Sequence, residues 1–224
     1  YFYMSLDLKD KISTFINDFN KVNNNGTKLV AVSKKKTFDD IKVASQIGIT
    51  DFGENYPQEL RDKSLHARSE DLNLNWHFIG RIQKNKIKYI VGTCDLIHSI
   101  DSLDILKLIN EYSEKNNINQ KVLLQINISE DNSKSGFDPK KIDSQILKAL
   151  NYRMIKIAGF MTILKNELSE DSIRDYYSKM FDFGKKYQEV EKLELSMGMS
   201  NDYKIAMECG STIVRVGNKI FGPR

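Results

Sequence analysis

The stretch TIVRVG, residues 212–217, is the last of eight short apolar runs in a chain of 224 residues, and its place near the end decides the fold. The seven earlier runs are KLVAVSK (28–34), ITDFGEN (49–55), NWHFIG (75–80), LIHSID (96–101), KVLLQINIS (121–129), IKIAGFMTI (155–163) and LELSMG (193–198). Most read as apolar on both faces, as parallel strands buried on both sides do. Amphipathic helical stretches lie between most of them. After the first run, Phe38, Ile41, Ala44 and Ile47 recur every three residues. Ser102 is placed to cap a helix after the fourth. Ile173, Tyr176, Tyr177, Met180 and Tyr187 line one side of a long helix after the sixth. Alternating βα units predict a parallel sheet. Eight of them predict a closed (β/α)8 TIM barrel, an α/β fold that usually takes about 250 residues and no fewer than about 200. The competing fold is an open doubly wound sheet.

The rest of the chain fits the barrel. After TIVRVG only NKIFGPR remains, which leaves little room for a final helix. Leu8, Ile12, Phe15, Ile16 and Phe19 form one apolar stripe before the first strand, so an extra N-terminal helix is predicted on the outside of the barrel. No Pro/Gly/Ser-rich linker divides the sequence, and 1–224 reads as one domain. The residues YFY ahead of Met4 read as a remnant without functional weight.

Composition bounds the function classes. The chain is 40% hydrophobic and 29% charged, as in a globular protein with a sizeable core. It has no apolar run of the ~18 residues a membrane span needs, and no apolar leader with a small-residue cleavage site. Net charge is +4, spread along the chain. Lys34-Lys35-Lys36 and QKNKIK are basic, but neither sits in a nucleic-acid module, so no nucleic-acid partner is expected. Cys94 and Cys209 make neither a disulfide framework nor a CxxC motif. Reduced thiols imply a cytoplasmic protein. His66, His77 and His98 lack metal-ligand spacing, and no metal is expected.

In a (β/α)8 barrel the active site lies at the C-terminal ends of the strands. Lys34 is expected there, at the end of the first strand. Alternation puts Lys34 and Lys36 on one face and Lys35 on the other. Partial burial disfavours the ammonium form, and a neutral amine is what Schiff-base chemistry needs. Phosphate sites in such barrels are built from the loops after strands 7 and 8. Here those loops are SMGMSND (196–202) and RVGNKIFG (215–222). Gly198 and Gly217 permit tight turns, Ser196 and Ser200 offer hydroxyls, and the N–H groups of Gly217 and Asn218 form an anion cradle. Arg215, flanked by Val214 and Val216 in a strand, needs partners if buried. It is either a structural ion-pair member or a cation facing a ligand ring nitrogen. A lysine amine, a phosphate cradle and an arginine at a ring nitrogen together describe pyridoxal 5′-phosphate. An arginine leaves that nitrogen unprotonated, making a weak electron sink.

The motifs AVSKKKT, DFGENYPQEL, WHFIGRIQKNK, QINISEDNSKSGF, AGFMTI, LSMGMSNDY and GSTIVRVGNKIFG run in order from residue 31 to the C-terminus. In combination they resemble the pyridoxal phosphate homeostasis proteins, the YggS/PROSC family, which are similar to the barrel domain of alanine racemase (fold-type III). The resemblance implies Lys34 as the lysine forming the aldimine. It implies Ser200, Gly217 and Asn218 at the phosphate with Ser196 close by, and Arg215 beside the pyridine nitrogen. It also implies Asn55 and Met161 along the cofactor pocket, and Lys36 and Lys134 near the site. Where the family often has proline, this chain has Thr37, so a looser loop is expected. Phe160 and Ile82 replace common leucines away from the ligands.

The function implied is holding pyridoxal phosphate and passing it to apo-enzymes or amines, with no catalytic activity of its own. The alternative is an amino-acid racemase, which needs acid/base groups on both faces of the substrate. In the resembled racemases one of these is a tyrosine from a further domain, which this chain is too short to hold. A third reading is a barrel that binds another phosphorylated ligand without an aldimine. A monomer is expected. His77 reads as a satisfied core histidine, and Glu54 as either a catalytic carboxylate or an ion-pair partner at the rim.

Overall fold

A computed structural model describes residues 2–131, 134–149, 151–165, 167–187 and 193–222. Eight parallel strands close into a barrel. They are β1 (Lys28–Val32), β2 (Asp51–Glu54), β3 (Asn75–Phe78), β4 (Leu96–Ile100), β5 (Gln120–Gln125), β6 (Ile155–Met161), β7 (Glu194–Ser196) and β8 (Ile213–Val216). Closure is made by β1 pairing with β8, in a register from Lys28↔Ile213 to Ala31↔Val216. An open sheet has no such pair, so the doubly wound alternative is excluded. All eight predicted strands form, each shorter than its apolar run.

Helices α1 (Phe2–Val22), α2 (Phe38–Gln46), α3 (Pro57–Ser69), α4 (Leu103–Asn116), α5 (Ile142–Ala149), α6 (Glu170–Lys185), α7 (Tyr203–Glu208) and α8 (Asn218–Phe221) surround the sheet, with a 3-10 turn at Lys84–Tyr89 between β3 and β4. Tyr1 of the leading YFY lies outside the described residues, and Phe2 and Tyr3 open α1. Among the described residues, no helix is long and apolar enough to cross a membrane.

Two apolar layers follow from strand alternation. Phe52, Trp76, Phe78, Ile97 and Phe160 face outward into the main core. Val30, Leu96, Leu123, Met161 and Ile213 pack within the barrel. The predicted outer helix is α1, which lies against α2 and α8. Its Ile12, Phe15 and Phe19 are buried. The rings of Phe15 and Phe19 sit 5.9 and 6.2 Å from that of Tyr203 on α7. With only four residues, α8 is too short to cover the seam between β8 and β1, and α1 covers it instead.

The loop after β1 is not loose. Thr37 has φ −71°, near the value proline would impose, and caps α2. Its hydroxyl accepts from the Asp40 N–H (3.2 Å), while the Asp40 carboxylate accepts from the Thr37 N–H (3.0 Å). This reciprocal pair is a capping box, and it supplies the order that a proline would have supplied.

Candidate functional site

β1 stops at Val32, two residues before Lys34. The Lys36 N–H turns back onto the Ser33 carbonyl (3.0 Å), and Lys35 adopts φ +60°. Lys34 therefore sits in a turn at the C-terminal mouth, not on the strand as predicted. The sidedness expected from alternation survives: Lys34 and Lys36 are half-buried and Lys35 is exposed.

The turn rests on a buried knot. Ser33 Oγ donates to Glu54 Oε1 (2.6 Å). Lys63 Nζ on α3 donates to the Ser33 carbonyl (2.8 Å), to Glu54 Oε1 (2.8 Å) and to Glu59 Oε2 (2.9 Å). Glu59 also accepts from the Lys35 N–H (2.8 Å). Glu54 is thus an ion-pair partner beneath the lysine loop. Burial pushes its pKa up to about 7, against the pull of Lys63, and its Oε2 has no partner.

A cleft of about 1050 Å³ opens at the strands' C-terminal ends, lined in part by Lys34, Asn55, Ser200, Arg215, Gly217 and Asn218. Six of the eight sequence-predicted cofactor residues therefore meet there. Met161 does not line it, being fully buried within the barrel. Ser196 does not line it either; it is buried behind Arg215. Arg215 is 4% exposed and makes no ion pair among the described residues. One terminal nitrogen donates to Ser196 Oγ (2.5 Å) and the other to the Thr162 carbonyl (2.9 Å). Two of its five N–H donors are used this way. Desolvation lowers its pKa, opposed by Tyr177 and Asp202.

The predicted phosphate loops are held tightly. Gly198 has φ +96°, and a Cβ there would come within 2.5 Å of Ala206 Cβ. Its carbonyl accepts from the Arg215 N–H (3.0 Å). Asp202 closes the turn by accepting from the Met199 N–H (2.6 Å) and from Tyr177 Oη (2.7 Å). Ser200 Oγ accepts from the Gly217 N–H (3.3 Å), joining the two loops. Asn218 opens α8, where first-turn N–H groups lack intrahelical acceptors. Asn55 Oδ1 is buried without a partner at the cleft wall. A polar acceptor left so calls for a donor, and a ligand in the cleft can supply one.

Other predicted residues fall elsewhere. Lys36 Nζ donates to the Phe221 carbonyl (3.1 Å), tying the lysine loop to the end of α8. Lys134 lies in the bend after β5, outside the cleft lining. The basic cluster QKNKIK forms the 3-10 turn, where Lys86, Lys88 and Arg61 gather on the Tyr89 ring at 5.6, 5.0 and 5.1 Å. Sequence reasoning missed Lys165, Glu167 and Glu170, which line the cleft from the segment after β6. Their signal was positional, since they too follow a strand's C-terminal end. Among the described residues, no tyrosine lines the cleft. No group of three His, Cys, Asp or Glu among them is arranged to hold a metal.

The family model for the alanine racemase N-terminal domain matches residues 10–224. The chain is 36% identical over 221 residues to a pyridoxal phosphate homeostasis protein of Haemophilus influenzae, covering 97% of this chain and 93% of that one. It is 36% identical over 203 residues to one of Aquifex aeolicus, covering 89% and 88%. Among solved structures it is similar to PipY of Synechococcus elongatus with PLP bound, at 28% identity and a TM-score of 0.87, covering 94% of this chain and 100% of that one.

Proposed function

Because this chain belongs to the family of pyridoxal phosphate homeostasis proteins, we propose that its mouth cleft holds pyridoxal 5′-phosphate. The donor set fits that group. Lys34 is the amine that holds the aldehyde carbon as a Schiff base, releasing water. Ser200 and the Gly217 and Asn218 backbone receive the phosphate. Gly217 packs closely on β1, since a Cβ there would lie 3.3 Å from the Val32 carbonyl and from Val32 Cβ. Arg215 offers its remaining N–H donors to the ring nitrogen, and Asn55 Oδ1 accepts from a polar group on the ring. The single observation that carries this reading is the convergence of Lys34, Arg215 and the Ser200–Gly217 pair on one cleft. When bound, the cofactor supplies an electrophilic carbon and an electron sink. Beside a permanent cation its ring nitrogen stays unprotonated and the sink stays weak. That suits storage and release better than turnover. We assign the chain to keeping a reactive aldehyde bound and passing it to apo-enzymes or to free amines, inside the cell and without racemase activity.

The test is titration of the wild-type chain and of Lys34→Ala with pyridoxal phosphate, followed by exhaustive dialysis. We expect the wild type to keep a yellow band and the variant to lose it while still weakly retaining free phosphate. Near-equal affinity of the two for pyridoxal phosphate would overturn the covalent role and leave a phosphate-binding barrel. A coupled assay for D- and L-amino acid interconversion decides between carrier and racemase.

A further inference from the structure

A continuous line of buried side chains crosses the barrel interior from its N-terminal face to the cleft. Asp51 Oδ1 lies 3.0 Å from His77 Nε2. His77 Nδ1 lies 2.8 Å from His98 Nε2. His98 Nδ1 lies 2.8 Å from Ser196 Oγ, which accepts from Arg215. All five residues are at most 7% exposed. The two ends differ in kind. A guanidinium can only donate, and an ionised carboxylate can only accept. Asp51 is kept ionised by His77, Thr50 and Lys28, which outweigh its desolvation and lower its pKa. With one proton on each ring, these ends fix every proton between them. His77 carries its proton on Nε2 and donates to Asp51, so its Nδ1 accepts. His98 therefore carries its proton on Nε2, and its Nδ1 accepts from the Ser196 hydroxyl. Ser196 Oγ is left as an acceptor for Arg215. Desolvation above all, with the positive charges of Arg215 and Lys28, drives the His98 pKa well down and keeps that ring neutral.

We infer that Asp51, His77, His98 and Ser196 are positioning residues for Arg215, forming a one-way hydrogen-bonded array whose direction is set at the far face of the barrel. The inference rests on the proposed cofactor site only for the array's purpose. Its effect is to hold Ser196 Oγ as an acceptor and so to fix which guanidinium N–H groups remain for the cleft. The far end is open to solvent through a second cavity of about 310 Å³, lined in part by Asp51, His77, Lys28 and Glu194. The groups that face His77 and Asp51 there are Lys28 on β1, Asp95 before β4, Lys121 on β5, Lys156 on β6 and Glu194 on β7. Replacement of Asp51 by leucine removes the acceptor that sets the direction, and the change reaches Arg215 through three intervening side chains.

The tautomers are directly measurable, because the chain has only three histidines. Nitrogen-15 histidine spectra of the wild-type protein without added cofactor should place the protons of both His77 and His98 on Nε2 at neutral pH. An Nδ1–H tautomer or a charged ring at His98 would overturn the array. The second experiment follows the visible band of bound pyridoxal phosphate against pH in wild type and Asp51→Leu, which has a similar branched side chain and no acceptor. We expect the midpoint to move by about half a pH unit or more, although Asp51 lines the opposite cavity. A band present in both with the same midpoint refutes the positioning role. No band in the wild type refutes the cofactor proposal instead, and the tautomer measurement then stands alone.

Discussion

Lys34 and Arg215 show what a single residue reveals before folding and what it withholds. Three lysines closing an apolar run, and an arginine between two valines, were legible because each violates the local pattern. Their partners were not legible. Ser196 lies 19 residues from Arg215, and Asp51 lies 26 from His77. Such pairs arise only when the barrel closes. Glu54 is a sharper case, since its sequence left catalysis and ion pairing open. The structure puts it under the lysine turn, fully buried, with a pKa raised from 4.5 to about 7 chiefly by desolvation. A raised carboxyl pKa means the folded state binds more protons than the unfolded chain between those values. Stability therefore falls as pH rises from about 4.5 to about 7, then stays level. The full effect is on the order of 3 kcal/mol. Urea unfolding of wild type and Glu54→Gln across this range should show the wild type losing stability relative to the variant. Parallel curves would mean that Glu54 is not charged against a burial cost.

Strands and helices were read well in number and order, and less well in length. The run 28–34 is apolar up to Val32, but the backbone turns at Ser33 to bring Lys34 over the cleft. Apolar pattern follows burial, and buried loop residues such as Ile49, whose N–H bonds back to Ala44, extend it past the strand ends. The α2 capping box was hidden because Thr37 was read for what it lacks relative to proline. Thr37→Ala should cost about 1 kcal/mol in chemical denaturation. It should also loosen the turn that carries Lys34, seen as faster amide exchange at residues 35–38. Unchanged exchange there would detach the cap from the site. In the loop after β7, Gly198 combines φ +96° with no room for a Cβ. Gly198→Ala should displace the Ser200 turn and weaken pyridoxal phosphate binding by roughly tenfold, about 1.4 kcal/mol. Calorimetric titration checks this, and wild-type affinity would exclude the loop from the phosphate site.

At the scale of the molecule, the barrel was readable from the count of βα units and from where the eighth strand falls. The mouth cleft followed from the rule that such sites lie at the strands' C-terminal ends. What no counting rule gives is the polar interior, because the rule for these barrels expects branched apolar residues there. Here Asp51, His77, His98, Ser196 and Arg215 are buried among the apolar inner layer. The seam covered by α1 tests the architecture itself. Phe19, 3% exposed, packs on Phe15 and Tyr203. Phe19→Ala should cost about 3–5 kcal/mol. A loss below 1 kcal/mol, as for a surface change, would show that α1 is dispensable for closure.

The most direct measurement is borohydride reduction of the protein loaded with pyridoxal phosphate, followed by peptide mapping by mass spectrometry. We expect one reduced adduct, on Lys34, with Lys35, Lys36 and Lys134 unlabelled. Label spread over surface lysines, or absent from Lys34, would contradict the assignment of this cleft.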